Sequence, residues 1–142
     1  MSTFSELEVE YLTSQLLGRI ATVGVDGAPH VTPVGVFFDP ETETIVIGSG
    51  ADMPASKKFR DASRRPDVAV VIDDVASVDP WTPRGVEIRG RADTPTTGGE
   101  LVGKRLGAPF EFHPAYIRVH PRRIVAWGLD TGSFAATARD VA

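Results

Sequence analysis

Residues 19–39 read RIATVGVDGAPHVTPVGVFFD, and this stretch decides the fold. Apolar and β-branched residues alternate on both sides of Asp26-Gly27, a dipeptide that suits the positive φ of tight hairpin turns. A first antiparallel hairpin is expected, with strands over 19–25 and 30–39. The period of two continues past it: a turn at Asp39–Glu43 leads into TIVIGS, residues 44–49, the third strand of a meander. On the N-terminal side the period changes. Phe4, Leu7, Tyr11, Leu12, Leu16 and Leu17 recur at helical spacing, and Ser5 with Glu8 has the form of a capping box, so a helix ending at Gly18 is predicted.

Downstream, Pro54 at a first helical position and Pro66 as a stop bracket a helix over 54–65. VAVVID, 68–73, is apolar on both faces and predicts a strand covered on both sides. In RGVEIRGRAD, 84–93, Val86 and Ile88 alternate with Glu87 and Arg89, as in a strand with one wet face. A helix over 96–106, two strands at YIRVHP (116–121) and RRIVAWGL (122–129), and a small polar tail from Asp130 complete the chain. About seven strands joined by hairpins, with short flanking helices and no βαβ alternation, indicate a mainly β (α+β) fold, an antiparallel barrel or sandwich. At 142 residues, without repeat or linker, a single domain spanning 1–142 is expected.

Composition limits the chemistry. There is no cysteine, so disulfides, thiolate metal sites and cysteine nucleophiles are excluded. A formal charge of −4 argues against nucleic acid as partner. Residues 1–11 carry Glu6, Glu8 and Glu10 and have neither the basic start nor the apolar run of a signal peptide. The longest apolar run, Val68–Ile72, is far too short to span a bilayer, so a cytoplasmic protein with no membrane partner is expected. His30, His113 and His120 lack metal-ligand spacing, so no metal site is expected, and no nucleophile elbow, P-loop or dinucleotide fingerprint occurs.

One feature runs against the acidic total. Lys57, Lys58, Arg60, Arg64 and Arg65 place five cations beside one acid, Asp61. On a helix, Lys57, Arg60 and Arg64 share one stripe, Lys58, Asp61 and Arg65 the next, while Phe59 and Ala62 face the core. Two readings stand: a phosphate clamp at a helix start, or a solvated face with an internal ion pair. The small residues before it, Ser49 and Gly50 with Asp52, form either an anion approach or an ordinary turn. Trp81, between two prolines, suits ligand stacking, an interface or simple packing, and Trp127 suits the core or a dimer interface.

Taken in order, LGRIATVGVDGAPHVTPV (17–34), IGS (47–49), KKFRDASRRPDVAVVIDD (57–74) and DPWTPRGVEIRGRA (79–92) resemble the pyridoxamine-phosphate-oxidase-like flavin and deazaflavin oxidoreductases. RIVAWGLD (123–130) and ARDV (138–141) are similar to the actinobacterial branch of probable coenzyme F420-dependent enzymes. The resemblance covers roughly residues 5–141 and implies a split β-barrel of the FMN-binding type, a homodimer, and two cofactors in grooves between subunits. It implies that Thr32, Pro33, Val34, Gly48 and Ser49 line the cofactor ring and ribityl chain. Lys58, eight residues before Pro66, is implied to hold the phosphate with Lys57 and Arg60, and Trp81 and Arg84 to approach across the dimer. The resemblance thus favours the clamp. Asp61 departs from the asparagine of many relatives, and the basic extensions of true pyridoxamine phosphate oxidases are missing, which favours the deazaflavin branch.

The implied activity is hydride transfer between F420 and a small organic substrate, the cofactor carrying the chemistry and the protein binding and orienting it. No catalytic side chain is assigned, and the proton source is open. An FMN-dependent or tetrapyrrole-binding member of the same fold, or a flavin-binding protein without turnover, are the alternatives. Trp127 and the apolar faces of Ile20, Val23 and Val125 offer more apolar surface than one small barrel with a groove buries, which also predicts the dimer.

Overall fold

The computed structural model describes residues 2–130 and 135–142. Helix α1, Glu6–Ser14, opens on the anticipated capping box: Glu8 N–H donates to Ser5 Oγ at 3.1 Å and Ser5 N–H to the Glu8 carboxylate at 3.0 Å. It stops four residues before the predicted Gly18. A side chain on Gly18 would press on Val71 O at 2.8 Å, so this glycine serves a close strand contact rather than a helix cap.

Strands β1 (Leu17–Val23) and β2 (Pro29–Asp39) form the first hairpin, with Val23 opposite Pro29. β3 (Thr44–Gly48), β4 (Asp67–Ser77) and β5 (Thr82–Asp93) follow as antiparallel partners in the order β3-β2-β1-β4-β5. β6, Ile117–Trp127, pairs with β5 along its length, and its first residues also pair with β3 and close a six-stranded barrel. Its last residues pair instead with β7, Thr137–Asp140. The two sequences read as separate strands are therefore one. Pro121 does not end β6 because it sits at a bulge opposite Gly90, where the ladder shifts register and a missing donor is tolerated. Part of the polar tail supplies the unpredicted β7; residues 131–134 of that tail lie outside the described residues.

Ile20, Ile47, Val70, Ile72, Ile88 and Ile124 fill the barrel and are fully buried. β4 alternates between buried and half-exposed residues, contrary to the expectation of two covered faces: Ala69 and Val71, on its outer face, stay half-exposed. β3 is the strand buried on both sides: Ile45 and Ile47 point into the barrel, and Val46 packs under Phe112 and Tyr116. The helix expected from Pro54 begins later. Met53–Ala55 makes a 3-10 turn, and α2, Lys57–Arg64, starts after Ser56, whose hydroxyl accepts from Phe59 N–H. α3 is confined to Gly99–Arg105.

Candidate functional site

β2 and β3 pair with Gly35 opposite Gly48, and beyond Gly48 the chain leaves the sheet through Ser49 and Gly50 on its way to α2. At this departure lies an open groove of about 370 Å³. Pro33, Val34 and Gly35 form its β2 side, Gly48, Ser49 and Gly50 its β3 side, Lys58 its α2 end, and Phe110 its wall from the segment between α3 and β6. Five of the ten sequence-predicted residues, Pro33, Val34, Gly48, Ser49 and Lys58, meet here.

Their chemistry differs by side. Pro33, Val34 and Phe110 are apolar, and Phe110 stays 40% exposed, an apolar ring open to a ligand. Ser49 Oγ accepts from Ala51 N–H at 3.0 Å, which leaves its own hydroxyl hydrogen to donate elsewhere. Lys58 is half-buried; burial pushes its ammonium below the usual lysine value, and no carboxylate among the described residues offsets this. A partly desolvated cation without a counter-ion attracts an anion more strongly than an exposed one does.

The other predicted residues stand elsewhere in the chain. Thr32, opposite Ile20 on β2, is half-buried and outside the groove lining. Lys57 Nζ lies 3.1 Å from an Asp61 carboxylate oxygen. Arg60 is exposed and donates to Ala55 O at 2.6 Å. Trp81, 58% exposed, lies in the connection from β4 to β5. Arg84 meets both oxygens of Asp74, at 2.7 and 2.9 Å, and its guanidinium lies 5.1 Å from the Tyr11 ring centre. That pairing holds the Asp74 carboxyl below its usual value, while burial and the hydrogen bond to Asp74 push the Tyr11 phenol up.

Sequence reasoning missed Gly35 and Phe110. No local pattern marks Phe110 in LGAPFEF; its position comes from Phe112, two residues on. The buried Phe112 ring occupies the space that a side chain on Gly48 or Gly103 would fill, and Phe110 packs 5.4 Å from it and 6.1 Å from Phe37. Glycines on β3 and α3 thus admit one ring, and that ring carries the next to the groove.

The pyridoxamine 5'-phosphate oxidase family model matches residues 4–127. A 5a,11a-dehydrotetracycline/5a,11a-dehydrooxytetracycline reductase of Streptomyces rimosus subsp. rimosus is 43% identical over 139 residues, covering 97% of this chain and 93% of that one. Among solved structures, a conserved hypothetical protein of Mycobacterium tuberculosis superposes with a TM-score of 0.68 at 25% identity, over 89% of this chain and 86% of that one. An FAD binding protein of Mycobacterium smegmatis superposes with a TM-score of 0.63 at 23% identity, over 89% and 96% of the two chains, and shares the fold.

Proposed function

The chain belongs to the pyridoxamine 5'-phosphate oxidase family, and from that premise we propose that it is an oxidoreductase: a reductase that binds coenzyme F420 in the groove between β2, β3 and α2 and acts on a small organic substrate. The observation that carries this reading is Lys58, a half-buried cation with no counter-ion among the described residues, at the end of a groove walled by glycines, Pro33, Val34 and Phe110. The 43% identity to a reductase along nearly the whole of both chains supports the reaction class. That relative's substrate suggests a conjugated polycyclic compound with an electron-poor double bond.

A bound deazaflavin supplies the hydride. The protein's part is then to bind, orient and dry the site. Lys58 holds the anionic tail by a charge-assisted hydrogen bond. The open positions at Gly35 and Gly50, where a Cβ would meet nothing closer than 3.4 Å, let a planar ligand approach the backbone. Phe110 and Pro33 keep water from its apolar face, and the Ser49 hydroxyl donates to a polar atom of the ligand. A homodimer, with Trp81 and Arg84 approaching from a second copy, belongs to the same proposal.

A parallel titration with F420 and with FMN tests it, followed by reduction of a dehydrotetracycline with reduced F420. Saturable F420 binding, tighter than that of FMN, with turnover is expected. Binding of neither cofactor would overturn the reading.

A further inference from the structure

Asp61 is the only acid of the basic helix, and the structure removes it from solvent: its side chain is 1% exposed. It lies on the barrel side of α2, where Thr22 Oγ1 donates to it at 3.1 Å. Two cations of its own helix close over it, Lys57 at 3.1 Å and Arg64 at 3.2 Å. Lys57 Nζ is at the same time drawn to the β1–β2 turn, 3.1 Å from the point where a Cβ on Gly24 would stand. Arg60 folds back onto Ala55 O. Of the cations in the first turn, Lys58 alone lines the groove, and it alone has no partner among the described residues.

The arrangement counts charge. Toward the groove the cluster presents one ammonium, Lys58, because the buried carboxylate holds its neighbour Lys57, while Arg60 and Arg65 keep their charge outside the groove lining. The phosphodiester of F420 carries one negative charge, whereas the phosphate monoester of FMN carries close to two at neutral pH. We infer that Asp61 is a positioning residue that sets the anion capacity of the groove: by sequestering Lys57 and Arg64 it tunes the site to a singly charged phosphodiester over a doubly charged phosphate monoester. This rests on the flavin or deazaflavin reading above and adds a specificity determinant to it.

Asp61→Asn tests it, since asparagine keeps the shape and still accepts from Thr22 while the negative charge is lost. Fluorescence titrations of wild type and variant are run with F420, FMN and riboflavin, the last being uncharged. Removing the Asp61 charge should tighten the contact to a singly charged phosphodiester about fourfold and that to a doubly charged phosphate monoester about tenfold or more, because Coulomb energy scales with the charge of the group that faces the helix. Riboflavin affinity should stay level and the preference for F420 should narrow. The added Lys57→Met change should cancel much of the FMN gain.

A folded Asp61→Asn protein whose three affinities stay put, or move together, overturns the inference and leaves the cofactor reading intact. Wild type that binds none of the three overturns both. If Asp61→Asn does not fold, the single variants Lys57→Met and Lys58→Met decide. A loss of under about threefold for the first and over about tenfold for the second supports sequestration. Equal losses make Lys57 a direct phosphate ligand and overturn it.

Discussion

Lys57 and Lys58 are adjacent in sequence and alike in composition, yet Asp61 neutralises one and the groove receives the other. Lys58→Ala should therefore cost roughly 1.5 to 3 kcal/mol of cofactor binding, the worth of a charge-assisted hydrogen bond. Thermal stability should move by no more than about 0.5 kcal/mol, as at other helix-surface sites. Titration beside a melting curve separates the two, and unchanged affinity returns the basic helix to a solvated face. Charge counting found this cluster in the sequence. It could not tell the two lysines apart, because the burial of Asp61 depends on Thr22, 39 residues away. A second carboxylate has the opposite role. Asp39 is fully buried under Arg105, at 2.7 Å, and Arg118, at 2.9 Å, and so ties α3 and β6 to the end of β2. Asp39→Ala removes the carboxylate that joins Arg105 to Arg118, leaving Arg105 only Glu41, at 3.3 Å, among the described residues, and should lower unfolding free energy by about 3 kcal/mol in urea denaturation, while Lys58 and its groove stay in place.

The elements that sequence reasoning recovered are those with local signals: the capped α1, the hairpin around Asp26-Gly27, and the alternating β5. Those it misplaced depend on distant partners. β6 runs through Pro121 only because Gly90 leaves room for the bulge, and β7 exists as a strand because β6 offers an edge to it. Arg139 fastens β7 to α1 through both oxygens of Glu8, at 2.6 and 2.8 Å, a pairing across 131 residues of chain with no sequence signature. Pro33, Val34, Gly48, Ser49 and Lys58 were legible together through the family resemblance, and the structure gathers them along one groove. Phe110 was not, since the Phe112 ring that positions it packs on Gly48 and Gly103 from two other elements. Gly48→Ala puts a methyl group where that ring lies. Overpacking of this kind costs about 1 to 3 kcal/mol, and displacement of Phe112 should also shift Phe110 and weaken ligand binding. A stable Gly48→Ala protein with wild-type affinity would disconnect the ring from the site.

At the scale of the molecule, the paired carboxylates set the response to acid. Asp39 is held well below its ordinary value chiefly by Arg105, and Asp74 is lowered chiefly by Arg84. Burial opposes the charge on Glu8, but Arg139 and the Ser5 N–H outweigh it and the carboxyl is lowered. A carboxyl depressed in the folded state stabilises it fully above the unfolded value, near 4, and loses that contribution as pH falls further. The melting temperature should hold from about pH 6 to 8 and drop steadily below about pH 4; a rise on acidification would contradict these pairings. The proposed homodimer would use the outer face of the sheet. Ile20, expected to help form an interface, is instead fully buried in the barrel. What faces outward is a patch where Ala21 of β1 stands between Val31 of β2 and Ala69 of β4, with Val71 beside it, and Val31 is 66% exposed. Covering such a patch with a second copy buries each residue twice, since a two-fold interface uses the same surface from both sides. At roughly 1.5 kcal/mol per valine, two copies of Val31 contribute about 3 kcal/mol, and a glutamate there would add charge repulsion to that loss. Light scattering at micromolar concentration should return about twice the 15.2 kDa chain mass, and Val31→Glu should return the chain mass with the melting curve little changed. A wild-type protein at 15.2 kDa would rule out the dimer, and with it any contribution of Trp81 and Arg84 from a second subunit.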